Sequence, residues 1–358
     1  TLNRQSQTFS GFSTTNRRAS TSTGSGNCSN ASRVPGGFRH YPKYFRSALA
    51  KPPIPPPLLH SIPVATEEPL NPIPEALDPG RIVELPADER LQLYKRYMAE
   101  ENARVRTAHE QGGGGCEVAS LRTEVVDILL RSLFETAAIK SNSPNSLTLV
   151  ANGGYGRGLL NPGSDIDLLF LLSQPSHNLD TDQKELVSGI LYPLFDLGFK
   201  VGHASRSIPE CMTEARRDPI TRTSLFDHRK LCGSDPLYRK FAQRFRQDCI
   251  NRDQVRFFEE RRSDIEARYR KFSSTVFLQE PNLKESPGGM RDFHNLLWIS
   301  DALFNTRDLE ELRRRGILTT NACNELREGF DFLHRLRNCL HYHTEKSTDI
   351  LTLRFQGV

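Results

Sequence analysis

Two aspartates separated by one residue stand out as side chains that could do chemistry. Asp165 and Asp167 lie at the start of the apolar run Ile166-Asp-Leu-Leu-Phe-Leu-Leu, which is typical of a central strand. Residues i and i+2 of a strand share one face, so both carboxylates point the same way. Such a pair is costly to bury unless cations neutralise it. Two Mg²⁺ ions, bound by these carboxylates and by substrate phosphates, would do so.

A glycine turn stands shortly before these aspartates. Gly153 and Gly154 follow the apolar segment 147–151, which has the length of a strand. Glycines at the end of a strand permit close backbone approach, so their amide groups could cradle phosphate oxygens. Arg157 could add a fork of donors to the same phosphates, and a surface arginine is the alternative interpretation.

Taken together, the turn and the acidic pair favour a nucleotide site in which Asp165 and Asp167 are catalytic and bind metal. Ser164, beside them, is a further candidate nucleotide contact. The alternative is a pair of strand-end aspartates that face solvent. The turn is not a P-loop, because no lysine follows its glycines, and it is not a dinucleotide fingerprint, because Asn161-Pro-Gly interrupts the helix which that motif requires.

A second region that could contact phosphate is the turn Lys284-Glu-Ser-Pro-Gly-Gly-Met-Arg-Asp292. Lys284 and Arg291 could reach phosphate and cap the site from above. The alternative is a plain loop in which Asp292 caps the following helix.

The flanking pattern predicts a small α/β unit followed by a helical one. Helical periodicity begins near Asp88, breaks at the glycines 112–115 and resumes over 118–139. Strands are predicted over 147–151, 166–172 and 200–205, with a helix over 180–195 and a capping box at 207–210 that opens another. Further helices are predicted over 236–250, 252–272, 291–304, 308–315 and 320–344. The last of these carries an apolar stripe: Leu326, Phe330, Leu333, Leu336 and Leu340.

The first 75 residues differ in composition from the rest of the chain. They are rich in Ser, Thr, Asn, Gly and Pro, and they cannot bury enough apolar surface to offset their ordering entropy. We predict a disordered tail over 1–75, a nucleotidyltransferase domain over 88–234 and a helical domain over 235–358. The arginine-rich, acid-free start also resembles an organelle transit peptide, although a loose tail is the simpler interpretation.

Charge and cysteine usage restrict the environment and the partners. The net charge is +5, but residues 1–60 carry eight basic and no acidic side chains, so the remainder carries −3. A mildly acidic body argues against nucleic acid as the main ligand. The seven cysteines are odd in number, widely spaced and without a CxxC motif, which favours a reducing cytoplasm. No apolar run approaches the roughly 18 residues of a membrane span.

The motif Gly153-Gly-Tyr-Gly-Arg-Gly…Ser164-Asp-Ile-Asp-Leu-Leu resembles the DNA polymerase β nucleotidyltransferase superfamily. More narrowly, residues 88–356 resemble the N-terminal part of the bacterial protein-PII uridylyltransferase/uridylyl-removing enzymes. The likeness continues in Asp196-Leu-Gly-Phe-Lys-Val-Gly-His, in the turn that contains Lys284, and in Arg335-Leu-Arg-Asn-Cys-Leu-His.

This resemblance implies a polymerase-β-like α/β fold and a two-metal reaction with Mg²⁺ or Mn²⁺. A tyrosine hydroxyl of the PII protein would attack the α-phosphate of UTP and expel pyrophosphate. Members of the superfamily often use a third metal carboxylate, for which Asp227 is the candidate; an ion pair with Arg229 is the alternative. His203 could touch the nucleotide or fill a core position.

The resemblance also implies a His-Asp hydrolase domain and two small-ligand sensor domains. This sequence has no His-Asp dipeptide, so we expect neither uridylyl removal nor a glutamine response from these residues. Cys339-x-His341-x-His343 is not expected to bind metal, because residues i and i+2 of a helix do not face each other.

Three functions remain open at this point. The chain could transfer UMP to PII, transfer AMP or another nucleotide to a different acceptor, or bind a nucleotide without catalysis. The intact pair Asp165 and Asp167 argues against the third function.

Overall fold

The computed structural model describes residues 71–141 and 146–357. In this part of the chain, one sheet is built from four strands: β1 Leu147–Ala151, β2 Ile166–Leu172, β3 Val201–Ser207 and β4 Arg229–Gly233. The strand order is β3-β2-β1-β4. Strand β1 is antiparallel to β2 and to β4, whereas β2 is parallel to β3. The predicted α/β fold followed by helices is confirmed.

Helices cover the sheet and make up most of the remaining described chain. In chain order they are α1 Pro79–Ile82, α2 Ala87–Glu110, α3 Gly115–Ile139, α4 Gly153–Gly156, α5 Thr181–Asp196, α6 Ile208–Arg217, α7 Pro219–Phe226, α8 Asp235–Phe245, α9 Gln254–Lys271, α10 Met290–Phe304, α11 Leu309–Arg314 and α12 Thr320–Thr344. Single turns of 3-10 helix lie at Glu75–Leu77, Ser176–Asn178 and Leu353–Phe355, and a π-helical turn at Arg246–Asn251 follows α8.

Most predicted elements are present, and two differences concern the site. Strands β1 and β2 have the predicted bounds, and the capping box at Ser207 forms, since its backbone N–H donates to Glu210 Oε2 at 2.7 Å. Strand β4 and the short helix α7 were not predicted. The sequence of β4, Arg-Lys-Leu-Cys-Gly, lacks the apolar alternation of a strand, and β4 forms because its backbone pairs with β1 across a bulge.

Alternate side chains of β2 enter two separate hydrophobic cores. Leu168, Phe170 and Leu172 pack in a cluster with side chains of α3 and α5. Leu169 and Leu171 pack on the opposite face in a cluster with side chains of α6, α8 and α10. Because the side-chain period of a strand is two, Asp165 and Asp167 belong to this second face, toward the helical part of the chain.

The N-terminal end of the described chain packs against α3. Arg131 Nη1 donates to the carbonyl oxygen of Asn71 at 2.6 Å, and Ser132 Oγ donates to that of Leu77 at 2.8 Å. The predicted disordered tail over 1–75 overlaps the described chain at residues 71–75, and its residues 1–70 lie outside the described part. Among the described helices, none combines the length and apolar character that a bilayer crossing demands.

Helix α12 buries a more polar face than its apolar stripe predicted. Phe330 and Leu340 are buried, but so are His334, Asn338 and His341. Asn338 Nδ2 donates to the carbonyl oxygen of Gly115 at 3.0 Å, which ties α12 to the start of α3. Cys339 and His343 are exposed and His341 is buried, so the prediction of separate surface and core positions is confirmed.

Candidate active site

The candidate residues line a single cavity of about 570 Å³ in the described part of the chain. Its walls come from the glycine turn α4, the loop that leads into β2, and helices α7, α9, α10 and α12. Nine of the residues singled out in the sequence line this cavity: Gly153, Gly154, Arg157, Ser164, Asp165, Asp167, Asp227, Lys284 and Arg291. Segments more than a hundred residues apart thus meet at one place, while the role of each residue remains a prediction.

The carboxylate of Asp167 lies between two glycines. A Cβ atom at Gly153 would lie 2.9 Å from Asp167 Oδ2, and one at Gly202, the register partner of Asp167 on β3, would lie 2.6 Å from Oδ1. Gly153 also has a φ of +52°, a conformation that favours glycine. Both glycines are therefore needed for Asp167 to occupy its position.

The acidic pair has the electrostatic character of a cation site. Burial and the neighbouring Asp165 raise the pKa of Asp167, while Lys284 and Arg157 act in the opposite direction. Asp165 itself is exposed, and within residues 71–141 and 146–357 neither carboxylate accepts a hydrogen bond or forms an ion pair. Closely spaced carboxylates without partners fit hard divalent cations, which prefer oxygen ligands.

The glycine turn is anchored from both sides. The backbone N–H of Asn152 donates to the carbonyl oxygen of Asp167 at 2.9 Å, which fixes the turn against β2. The hydroxyl of Tyr155, inside the turn, donates to buried Asp127 on α3, and Arg229 Nη1 contacts the same carboxylate at 2.6 Å. The turn is therefore held rigidly beside the acidic pair.

Asp227, the candidate third metal carboxylate, is buried and forms ion pairs with two arginines. It is 2% exposed, and its Oδ2 accepts from Arg157 Nη1 at 2.5 Å. Its Oδ1 accepts from Trp298 Nε1 at 2.9 Å and from Arg307 Nη1 at 2.7 Å. Each carboxylate oxygen therefore has a hydrogen-bond partner, and these partners are Arg157, Trp298 and Arg307 rather than Arg229, which was the alternative. The role of Asp227 as a metal ligand remains a prediction. Among the described residues, no cluster of three His, Cys, Asp or Glu side chains is arranged to hold a metal.

The basic side chains of the cavity differ in how they are neutralised. Arg157 pairs with Asp227, and Arg291 pairs with Glu285 at 3.1 Å. Lys284 has no ion pair among the described residues, and burial together with the nearby Arg291 lowers its pKa. A cation with unsatisfied charge next to other cations is well placed to receive an anion.

Asp292 does not cap the helix that follows the basic turn. Helix α10 begins at Met290 after the N-cap Gly289, and the carboxylate of Asp292 instead accepts from the backbone N–H of Gly288 at 2.8 Å. It also accepts from the hydroxyl of Tyr269 at 2.8 Å. Asp292 thus fastens the turn, while Lys284 and Arg291 face the cavity.

His203 lies outside the cavity, contrary to both interpretations of its position. It is exposed on β3, an edge strand, and neither lines the cavity nor fills a core position.

Several cavity residues were not identified from the sequence. They are Asn161, Thr223, Ser224, Arg261, Asp264, His294, Trp298, His334, Arg337 and Asp349. Only for Arg337 did the motif Arg335-Leu-Arg-Asn-Cys-Leu-His contain a signal, because an arginine on the inner side of an amphipathic helix needs a polar partner.

The glycine turn and the acidic pair belong to a nucleotidyltransferase domain. Residues 136–201, which include β1, the turn and β2, match the model of the nucleotidyltransferase domain. Residues 256–357, which include Lys284 and all of α12, match the model of the GlnD PII-uridylyltransferase family.

One curated relative is a longer protein. Over 269 residues the chain is 35% identical to the bifunctional uridylyltransferase/uridylyl-removing enzyme of Rhodopseudomonas palustris (strain ATCC BAA-98 / CGA009). The matched region covers 72% of this chain and 29% of that protein. The resemblance inferred from the motifs is therefore confirmed, and the chain spans only part of the length of this relative.

Proposed function

We propose that the chain transfers UMP from UTP to a tyrosine of the PII nitrogen-regulatory protein and releases pyrophosphate. The observation that carries this proposal is the meeting of Asp165, Asp167, the glycine turn and Lys284 around one cavity. The similarity to a named uridylyltransferase supports the choice of UTP and PII. The free thiols of the six cysteines in the described part are consistent with a reducing cytoplasm.

Each group has a role that follows from its position. Asp165 and Asp167 would hold two Mg²⁺ or Mn²⁺ ions, which when bound neutralise charge on the reacting phosphate and on the leaving pyrophosphate. The amides of Gly153 and Gly154 face the phosphate chain, because glycine lets the backbone come close. Lys284, which forms no ion pair among the described residues, contributes a positive charge that attracts the triphosphate.

Arg157, Ser164 and Arg291 also line the cavity and supply further donors to phosphate oxygens. Arg157 is already oriented by its pair with Asp227, so its free guanidinium edge is fixed in place before the nucleotide binds.

The bond changes are those of an in-line displacement at phosphorus. The tyrosine oxygen forms a bond to the α-phosphorus of UTP, the bond from that phosphorus to the bridging oxygen breaks, and the phenolic proton leaves to solvent. Asp165 is exposed, so the acidic pair lies where a tyrosine on a protein surface can reach it.

The test is an assay of the purified chain with PII and each of the four NTPs, labelled at the α-phosphate, with Mg²⁺ or Mn²⁺. We expect metal-dependent labelling of PII from UTP, and a loss of at least about 10³-fold in Asp165→Asn and Asp167→Asn. The matched control is Asp196→Asn, an exposed position at the end of α5 outside the cavity. Labelling from ATP or another NTP alone would favour the second function, and labelling from none would favour a binding module.

A further inference from the structure

The loop between the glycine turn and Asp165 is held by a distant helix. Asn161 in this loop is completely buried, and its Nδ2 donates to Asn338 Oδ1 on α12 at 2.6 Å. Its Oδ1 accepts from Arg337 Nη1 at 2.5 Å. Two residues later, the backbone N–H of Gly163 donates to His341 Nδ1 at 3.0 Å. Polar side chains on one face of α12 therefore contact the segment that leads into the acidic pair.

Arg337 is the hub of these contacts. Besides Asn161, its Nη1 lies 3.3 Å from Ser164 Oγ, immediately before Asp165. Its Nε donates to Asp349 Oδ1 at 2.7 Å. Although burial alone would raise the pKa of Asp349, contacts with His341 and Arg337 hold it well below its usual range, so this partner is charged. The side chain of Arg337 is only 11% exposed.

The segment that contains Asp349 also reaches the loop that carries Lys284. The backbone N–H of Leu283 donates to the carbonyl oxygen of Asp349 at 2.7 Å, and Ile350 forms a β-bridge with Asn282. The loop before Asp165 and the loop of Lys284 thus both contact the continuous segment 337–350. Within this segment Arg337 contacts the first loop and Asp349 the second, and the two residues form an ion pair with each other.

We propose that Arg337 is a positioning residue, which sets the orientation of Asp165 toward Asp167, and that Asp349 holds Arg337 in place for this role. Asp165 has no side-chain partner among the described residues, so its direction depends on the loop that carries it. Partners behind a metal-binding side chain typically change metal affinity or activity by about 10–100-fold when they are removed. This inference rests on the proposed function, because it assumes that the pair binds divalent cations.

The test compares Arg337→Ala and Arg337→Lys with Arg335→Ala, a matched control two residues earlier whose side chain is exposed. Free Mn²⁺ is measured by electron paramagnetic resonance as the ion is titrated into each variant, with and without UTP and with no protein acceptor. We expect Arg337→Ala to weaken Mn²⁺ binding about tenfold or more and Arg335→Ala to bind like the wild type. Lysine keeps the charge but not the planar fork, so Arg337→Lys should restore only part of the affinity.

Activity measurements separate positioning from a general loss of structure. In Arg337→Ala we expect kcat to fall about 10–100-fold while the KM for the protein acceptor stays unchanged. Asp349→Asn, which leaves Arg337 in the chain, provides a milder variant should Arg337→Ala fail to fold, and it should change Mn²⁺ binding in the same direction.

The outcomes distinguish this inference from the proposed function. If Arg337→Ala or Asp349→Asn has a cooperative melting curve and binds Mn²⁺ as tightly as Arg335→Ala, the positioning role is wrong. If the wild-type chain transfers no nucleotide but Arg337→Ala still weakens Mn²⁺ binding, the proposed function fails and the positioning role stands.

Discussion

Substitution of Gly153 tests two features of the glycine turn, the strain of its backbone and its contact with the acidic pair. Gly153→Ala places a side chain at a φ of +52° and a Cβ atom 2.9 Å from Asp167 Oδ2. The left-handed conformation costs an L-residue about 1–2 kcal/mol, partly offset by about 0.4–1 kcal/mol of reduced entropy in the unfolded chain. A net cost near 1 kcal/mol lowers the Tm of a chain this long by about 2–4 °C.

The contact has a second and larger effect on activity. A separation of 2.9 Å is closer than a Cβ atom and a carboxylate oxygen can approach, so Asp167 must move or rotate in Gly153→Ala. Displacement of a reacting group by about 1 Å can lower a rate about 10²-fold. We therefore expect a small loss of stability in this variant and a loss of transfer activity near two orders of magnitude.

Two matched variants make the test decisive. Gly158→Ala has a φ of +77° with no atom within 4 Å of the added Cβ, so it should lose stability alone. Gly202→Ala lacks the positive φ but places its Cβ atom 2.6 Å from Asp167 Oδ1, so it should lose activity. Tm is measured by calorimetry and transfer with labelled UTP. If Gly153→Ala loses no more activity than Gly158→Ala, the contact with Asp167 does not matter and the reasoning is refuted.

Other predictions follow from the charges of the site. The pKa of Asp167 is raised above its usual value of 3.8, so its charged form destabilises the metal-free fold. Asp167→Asn should therefore raise the Tm at pH 7. Below pH 3.8 it should give no gain, because Asp167 is then protonated in both the folded and the unfolded chain. Equal Tm values at pH 7 would contradict this. Lys284→Ala should raise the KM for UTP about 10–100-fold, since a charged hydrogen bond contributes about 1.5–3 kcal/mol, whereas Lys240→Ala, exposed on α8, should not. Asp227→Asn should cost about 3–5 kcal/mol in urea unfolding, because it removes the buried negative charge that pairs with two partly buried arginines. The control is Asp264→Asn, because the side chain of Asp264 is 44% exposed; this variant should cost less than about 1 kcal/mol. If Asp227→Asn costs as little as Asp264→Asn, the ion pairs of Asp227 are weak.

The elements that carry the acidic pair could be predicted because their signals are local. The apolar runs of β1 and β2 are long enough to define strands, and the period of two places Asp165 and Asp167 on one face without any knowledge of the fold. The glycine turn follows from a double glycine at the end of a strand. The cavity residues of these segments could therefore be named in advance.

The partners of buried charges could not be predicted, because they depend on contacts between distant parts of the chain. Asp227 pairs with Arg157 and Arg307, which lie 70 and 80 residues away, and the nearby Arg229 faces α3 instead. A sequence shows that a charge exists but does not show which of several arginines will be buried with it. For this reason the sequence suggested the wrong ion-pair partner, Arg229, for Asp227.

The inner face of α12 was misjudged for a related reason. Its leucines and Phe330 have the spacing of a buried stripe, and apolar periodicity is the strongest helical signal in a sequence. The histidines and asparagine at positions 334, 338 and 341 have the same helical spacing, but polar residues are counted as surface unless a buried partner is known. The partner, Asn161, lies more than 170 residues earlier.

This separation also determines when the site can be completed during synthesis of the chain. The contact between Asn161 and Arg337 spans 176 residues, so the acidic pair leaves the ribosome long before the arginine that anchors its loop has been translated. Until then the amide of Asn161, completely buried in the finished fold, lacks its partners on α12. Contacts so distant in sequence form late, because the loop between them must close first. A nascent or truncated chain that contains only residues 136–201 would thus have both aspartates and the glycine turn, but its Asp165 loop would lack the contacts with α12.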